Sequence, residues 1–284
     1  MLVRRIAIRL AQPVAGKPLR YEQSKLNVMS TTKLGYAWDV ISVLLSKEIK
    51  LRYRGTILGI LWSLANPLAF TAVLYIAFRR VLQVNIENYP LFILSALFPW
   101  QWLANSIGSA PMLFISNSSL IKKLPFNKVA LAVAVVLNDM IHFCITIPLF
   151  AVLLFISGAH GPTLNWLVGI PVLLVAQALL TLAIVIVIAT LNAFLRDLDQ
   201  LVRVFLLLLF YVTPVLYPVS MVPRNLEWLL LVNPFSPLLI SWRALMMDNY
   251  LSPYIIVAAG QACLFLLIAI PVFKRTEWKL AELV

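Results

Sequence analysis

Residues 164–195, LNWLVGIPVLLVAQALLTLAIVIVIATLNAFL, hold no Asp, Glu, Lys, Arg or His over 32 positions. Coiled as a helix this stretch would be about 48 Å long, longer than the ~30 Å hydrocarbon core of a bilayer. In hydrocarbon every backbone N–H and C=O must be paired within the segment, so such a run selects a helix. Outward from it the same apolar character recurs in Ile57–Phe78, Tyr89–Ile115, Val129–Ser157, Leu201–Val219 and Pro253–Phe273. Together these predict an all-α integral membrane protein with six transmembrane helices. The composition agrees, at 62% hydrophobic and 12% charged residues.

The net charge of +12 excludes an acidic protein, and its distribution argues against nucleic acid as a partner. With six spans both termini fall on one side, and 19 of the 23 Lys and Arg residues then lie on that side. That asymmetry is the positive-inside rule, reinforced by an anionic cytoplasmic leaflet. The predicted protein is therefore multi-pass in the plasma membrane with both termini cytoplasmic. Residues 226–247 are apolar enough to cross, but Asn233-Pro234-Phe235-Ser236-Pro237 splits them. A seventh span would place Lys274, Arg275 and Lys279 outside, so the segment is read as a re-entrant helical hairpin dipping in from the outer face. The two cysteines sit in apolar runs and are expected to be free thiols.

The remaining divisions follow. Residues 1–35 form a basic cytoplasmic tail, in which Arg4, Arg5 and Arg9 interrupt any signal-peptide core. Over residues 36–54, Trp38, Ile41, Leu45 and Ile49 alternate with Asp39, Ser42, Ser46 and Lys50 at helical spacing, predicting an amphipathic helix in the membrane interface. Residues 55–284 form the transmembrane domain, with a loop at 116–128 and a cytoplasmic tail at 274–284. Gly55 and Gly59 make a G-x-x-x-G at the start of the first span, a pattern that permits close helix approach. Asp139 and His142, three apart in the third span, read as interhelical hydrogen-bonding groups or as an ion-coupling pair. Arg196 and Asp197 read as a pair at the membrane face.

Three motifs stand in a fixed order. The first is Arg52-Tyr53-Arg54-Gly55-Thr56-Ile57-Leu58-Gly59-Ile60-Leu61-Trp62 with Asn66-Pro67-Leu68. The second is Arg196-Asp197-Leu198 followed by Tyr211-Val212-Thr213-Pro214-Val215-Leu216-Tyr217-Pro218. The third is Asn233-Pro234-Phe235-Ser236-Pro237 with Arg243 beyond it. From about residue 36 onward the chain resembles the permease subunit of ABC-2 type polysaccharide exporters, which move lipid-linked O antigens, capsular polysaccharides and teichoic acids.

The resemblance implies a homodimer that binds two copies of a separate P-loop ATPase, with the lipid-linked polysaccharide as cargo and ATP and Mg on the partner. The sequence has no G-x-x-x-x-G-K-[ST] loop of its own, so the chain is expected to be a transport subunit, with no catalytic residue, metal or cofactor. In such a family the loop between the second and third spans holds a coupling helix, which falls here on Leu120, Ile121, Lys122, Lys123, Leu124 and Pro125. Ser118 or Ser119 would cap it and Pro125 would close it. Arg52, Tyr53 and Arg54 would meet the diphosphate headgroup at an entry gate, guanidinium being a bidentate partner for phosphate. The first and fifth spans would line the path, with Trp62, Phe70, Tyr75, Tyr211 and Tyr217 as flat faces for sugar rings. An ABC-2 permease for small molecules or drugs, an ion-coupled carrier, and a membrane enzyme acting on lipid-linked sugars are the alternatives. Paired carboxylates for the last are not found.

Overall fold

The computed structural model describes residues 33–53, 55, 59–77, 86–159 and 161–283, and among these there are helices and turns with no strand. The residues 1–32 of the basic tail, and Arg54, lie outside that set. Eleven α-helices follow in order: α1 Lys33–Tyr53, α2 Trp62–Tyr75, α3 Tyr89–Ser109, α4 Leu113–Ser116, α5 Ser118–Lys123, α6 Val129–Ile156, α7 Leu164–Asn192, α8 Leu198–Val212, α9 Trp228–Val232, α10 Ser236–Asp248 and α11 Tyr254–Leu283.

Helix α3 is the axis of the packing. Ile93 and Ala96 are fully buried and Leu94, Leu97, Phe98, Trp102 and Leu103 nearly so, because α6, α7, α10, α2 and α8 all pack on it. The longest pairing is α7 with α11, and α1 lies along α6. Outside this core the helices expose Leu164 at 84%, Phe155 at 83% and Leu267 at 70%. In water such faces would aggregate; in hydrocarbon they are the solvated surface. The chain is a multi-pass membrane protein.

Among the described residues three helices are long and apolar enough to cross a bilayer: Val129–Ile156, Leu164–Asn192 and Tyr254–Leu280, or four crossings if the bent pair Arg224–Val232 and Ser236–Asp248 is counted as one. The predicted third, fourth and sixth spans thus coincide with α6, α7 and α11. The other three come out shorter or broken. Within the predicted first span the described residues form a 3-10 turn at Gly59–Leu61 followed by α2. The second passes through Pro99 unbroken and gives way at Pro111 to a 3-10 turn, Ala110–Met112. The fifth ends at Val212, where Thr213 turns extended before Pro214. The predicted tail at 274–284 continues α11 as helix through Leu283.

Two sequence readings are corrected. Gly55 and Gly59 have φ of +76° and +49°, and an added Cβ would meet nothing within 4 Å. They turn the chain between α1 and α2 in a conformation that favours glycine, so they do not form a helix-packing face. Helix α1 buries Leu44, flanked by Val40, Ile41 and Leu45, while Trp38 of the predicted apolar face is 65% exposed. The helix serves two surroundings, α6 on one stripe and the exposed Trp38, Val43 and Leu51 on the other.

Polar side chains close the breaks. Gln177 on α7 donates to Pro99 O at 2.9 Å and accepts from Trp242 Nε1 at 2.6 Å, joining α3, α7 and α10. Asn192 donates to Pro111 O at 2.7 Å. Both amides are fully buried, and Asn192 sits at the Pro111 break, where a neighbouring side chain satisfies backbone in a membrane bundle. Cys144 and Cys263 are free.

Candidate functional site

The last turn of α1 carries Arg52 against the middle of α6. Its Nη1 donates to Asp139 Oδ1 at 2.6 Å, and Ser106 Oγ on α3 donates to the other carboxylate oxygen at 2.7 Å. The Asp139 side chain is 4% exposed and that of Arg52 33%. One carboxylate so binds three helices. His142, one turn on, places Nδ1 2.6 Å from Asn138 O, which requires the ring proton on Nδ1. The 3.2 Å approach of Arg52 Nη1 to that same atom is then a contact and not a second hydrogen bond. The ring of Tyr53 lies 5.4 Å from that of His142. The sequence placed Asp139 and His142 on one helix face; their partner Arg52 is 87 positions from Asp139, and no local pattern announces it.

This node forms the wall of a cleft of about 410 Å³ between α1, α2, α3 and α6. Trp62 and Asn66 enter it from α2, Gln101 and Asn105 from α3, and Phe143 and Thr146 from α6. The structure thus brings Arg52 and Tyr53, expected at a gate, together with Trp62, expected in the path, and adds the amides of Asn66, Gln101 and Asn105. The helical spacing of Gln101 and Asn105 (i, i+4) was the available signal.

The other predicted aromatics divide. Phe70 is 43% and Tyr211 60% exposed, and both stand by Phe210, with centroids 6.0 and 5.4 Å away. Trp100 joins the same group at 5.5 Å from Phe210. Tyr75 and Tyr217 are half-buried, and the Tyr217 hydroxyl donates to Val212 O at 2.6 Å in its own turn.

At the loop 116–128, Ile121 is buried, Leu120 and Leu124 are half-buried, and Lys122, Lys123 and Pro125 are exposed. Ile121 therefore belongs to the core, while the rest of the expected coupling helix stays at or near the surface. The helix starts at Asn117 and makes no side-chain cap from Ser118 or Ser119. Asn117 donates instead to Leu113 O at 2.8 Å and accepts from Lys47 on α1 at 2.6 Å. Leu124 turns extended ahead of Pro125, closing the helix as expected. Lys128 donates to Glu277 O on α11 at 2.6 Å, so the loop holds both α1 and α11.

The second and third motifs meet in space. Arg243, 8% exposed, donates to Pro214 O and Val215 O, each at 2.7 Å, and lies 3.8 Å over the ring of Phe92. Asn233 donates to Thr213 Oγ1 at 2.8 Å. The end of α8 is thereby fixed to the α9–α10 bend of 97°. Arg196 and Asp197 form no ion pair among the described residues; the pair nearby is Arg203 with Asp199 at 2.7 Å.

Residues 39–247 match the family described as ABC-2 type transporter. The chain is 37% identical over 251 residues to an O-antigen export system permease protein RfbA of Klebsiella pneumoniae, covering 88% of this chain and 96% of that protein. It is 33% identical over 247 residues to the protein of the same name from Myxococcus xanthus, covering 84% and 93%. To the polysialic acid transport protein KpsM of Escherichia coli it is 20% identical over 223 residues, 75% and 83% of the two chains. The match runs from within α1 to the end of α10, and the chain belongs to the ABC-2 type transporter family.

Proposed function

We propose that this chain is the permease subunit of an ATP-driven exporter that carries lipid-linked O antigen outward across the bacterial inner membrane. The observation that carries the reading is identity of 36% to an O-antigen export permease over 91% of this chain and all of that protein, against 20% to the polysialic acid transporter.

The arrangement supports the rest of the reading. Two copies, each with six spans and both termini cytoplasmic, would enclose the path between the exposed aromatic faces of α2 and α8. The bent pair α9–α10 would lie re-entrant at the outer mouth. Two copies of a P-loop ATPase, holding ATP and Mg, would dock on Lys122, Lys123 and Pro125. Motion of the loop would reach α1 through Lys47–Asn117 and α11 through Lys128–Glu277. Arg52, with Tyr53 and Arg54 beside it, would receive the diphosphate as the substrate enters from the inner leaflet. An ion-coupled carrier is disfavoured because Asp139 is already neutralised by Arg52 at 2.6 Å.

Gentle purification from native membranes tests the assembly. A P-loop ATPase should accompany the chain in equal amount and be lost from the Lys122→Glu/Lys123→Glu variant, whose side chains are exposed. Purification of the chain alone overturns the mechanism. Deletion of the gene should leave the cell surface without O antigen and the lipid-linked polymer inside; unchanged surface display overturns the substrate.

A further inference from the structure

We infer that the groove between α7 and α11, bounded by the loop after α5, holds an anionic phospholipid of the cytoplasmic leaflet, with its acyl chain along the two helices and its headgroup at Lys274. The inference goes beyond the export reading, since it concerns a lipid that stays with the chain rather than the cargo. It takes from that reading only the side of the membrane on which the loop lies.

The groove has a volume of about 840 Å³. Leu182 and Ile186 of α7 with Leu266, Ile270 and Phe273 of α11 form its apolar part. Ala269, 1% exposed, lines it between Leu266 and Phe273, where a methyl among larger side chains leaves room. The other end is polar, made by Tyr36 of α1, Asn127 of the loop, and Lys274 and Glu277 of α11. Apolar wall and polar mouth thus follow one another along a single helix. From Leu266 to Glu277 that helix rises about 16 Å at 1.5 Å per residue, half the thickness of a ~30 Å hydrocarbon core. A lipid of one leaflet matches both the length and the order, chain in hydrocarbon and headgroup at the interface. A polyprenyl carrier does not, because its chain is far longer than one leaflet.

Charge at the mouth selects the headgroup. Lys274 is exposed and makes no ion pair among the described residues. Lys128, between the lining residues Asn127 and Val129, reaches the same mouth, where its Nζ donates to Glu277 O at 2.6 Å. With the Glu277 carboxylate opposing them, the two lysines leave one net positive charge. Arg275 and Lys279, both exposed on the same end of α11, add to the field. Basic groups at the cytoplasmic end of a pocket between spans favour an anionic lipid headgroup. The same sign of charge disfavours the chain's own N-terminal segment as the occupant, since residues 1–32 carry Arg4, Arg5 and Arg9 among their basic groups and Glu22 as their single acidic one. The bound lipid touches Pro125 and Asn127, in the loop that grips α1 through Lys47 and α11 through Lys128. It therefore braces that end of the bundle.

The test uses the full chain, purified and delipidated in detergent, with phosphatidylglycerol and phosphatidylcholine of identical acyl chains as probes. Lipid retained per chain is counted by native mass spectrometry. The parent should hold phosphatidylglycerol about fivefold more tightly than phosphatidylcholine, the effect of one net basic residue, and its Tm should rise as the lipid binds. Lys274→Glu should keep the Tm of the lipid-free parent and lose the preference while still holding either lipid. Ile270→Trp, at a position 50% exposed, fills the groove and should hold neither lipid, again without loss of lipid-free Tm. Equal affinity of the parent for the two lipids, or a preference that survives Lys274→Glu, overturns the headgroup site. Unchanged retention by Ile270→Trp overturns the groove as its place. Displacement of phosphatidylglycerol by polyprenyl phosphate assigns the groove to the carrier lipid and overturns a resident phospholipid. A parent that holds no lipid, with a photocrosslinker at position 270 reaching residues 1–32 or a second copy, overturns it in favour of that occupant. None of these outcomes bears on the export reading, which co-purification of the ATPase and surface display decide separately.

Discussion

Removing Arg52 tests the junction between α1 and the bundle. Its partner Asp139 is 4% exposed, and loss of one member of a buried ion pair costs about 3–5 kcal/mol because the other charge is stranded. Two features lower that figure here. A third of the Arg52 side chain is solvent-accessible, and Ser106 continues to donate to Asp139 Oδ2 at 2.7 Å. Arg52→Ala should then cost about 2–3 kcal/mol, a fall in Tm of about 5–10 °C for a chain of this size. Asp139→Asn retains the size and the Ser106 contact and should cost less. The informative measurement is the double-mutant cycle, read as thermal denaturation of detergent-solubilised protein. The double variant should fall short of the sum of the singles by about 1–2 kcal/mol, since the second change removes a charge already stranded by the first. Strictly additive losses, or no loss for Arg52→Ala, would refute a structural ion pair and free Arg52 to act on substrate alone.

Other perturbations test the junction of α8 with the α9–α10 bend. Arg243→Met removes two charge-assisted hydrogen bonds and the contact with Phe92, and should cost about 3 kcal/mol, with faster hydrogen exchange in the peptide covering 211–220. Lysine there keeps the charge but lacks the fork that spans two carbonyls, so Arg243→Lys should recover less than half of the loss; full recovery would show the geometry to be immaterial. An alanine Cβ at Gly169 would stand 2.7 Å from both δ carbons of Leu245 and 2.8 Å from Leu251 Cδ2. Gly169→Ala should therefore cost about 1–3 kcal/mol by overpacking, and Leu245→Val should relieve part of it. A neutral Gly169→Ala would mean that α7 and α10 are further apart.

What was legible follows from what each signal depends on. Crossing a bilayer is decided by local composition, so Val129–Ser157 and Leu164–Leu195 were read to within three residues of α6 and α7. The same reading ran the fifth span past Val212, where the approach to Pro214 turns an apolar run without making it less apolar. Gly55 and Gly59 show the limit: G-x-x-x-G describes a helix face only if the backbone is helical, and positive φ at both puts them in a turn. The amides at Gln101 and Asn105 offered only their i, i+4 spacing, because a polar residue in a span looks the same whether it faces a neighbour or a cleft. By itself the sequence determined the medium and the long apolar helices, both of which depend on residues close in the chain. Only the tertiary structure decided that Arg52 reaches Asp139, and that Arg243 holds the carbonyls of Pro214 and Val215. Those bonds depend on how the helices cross, and crossing is set by side chains packing against side chains far away in sequence.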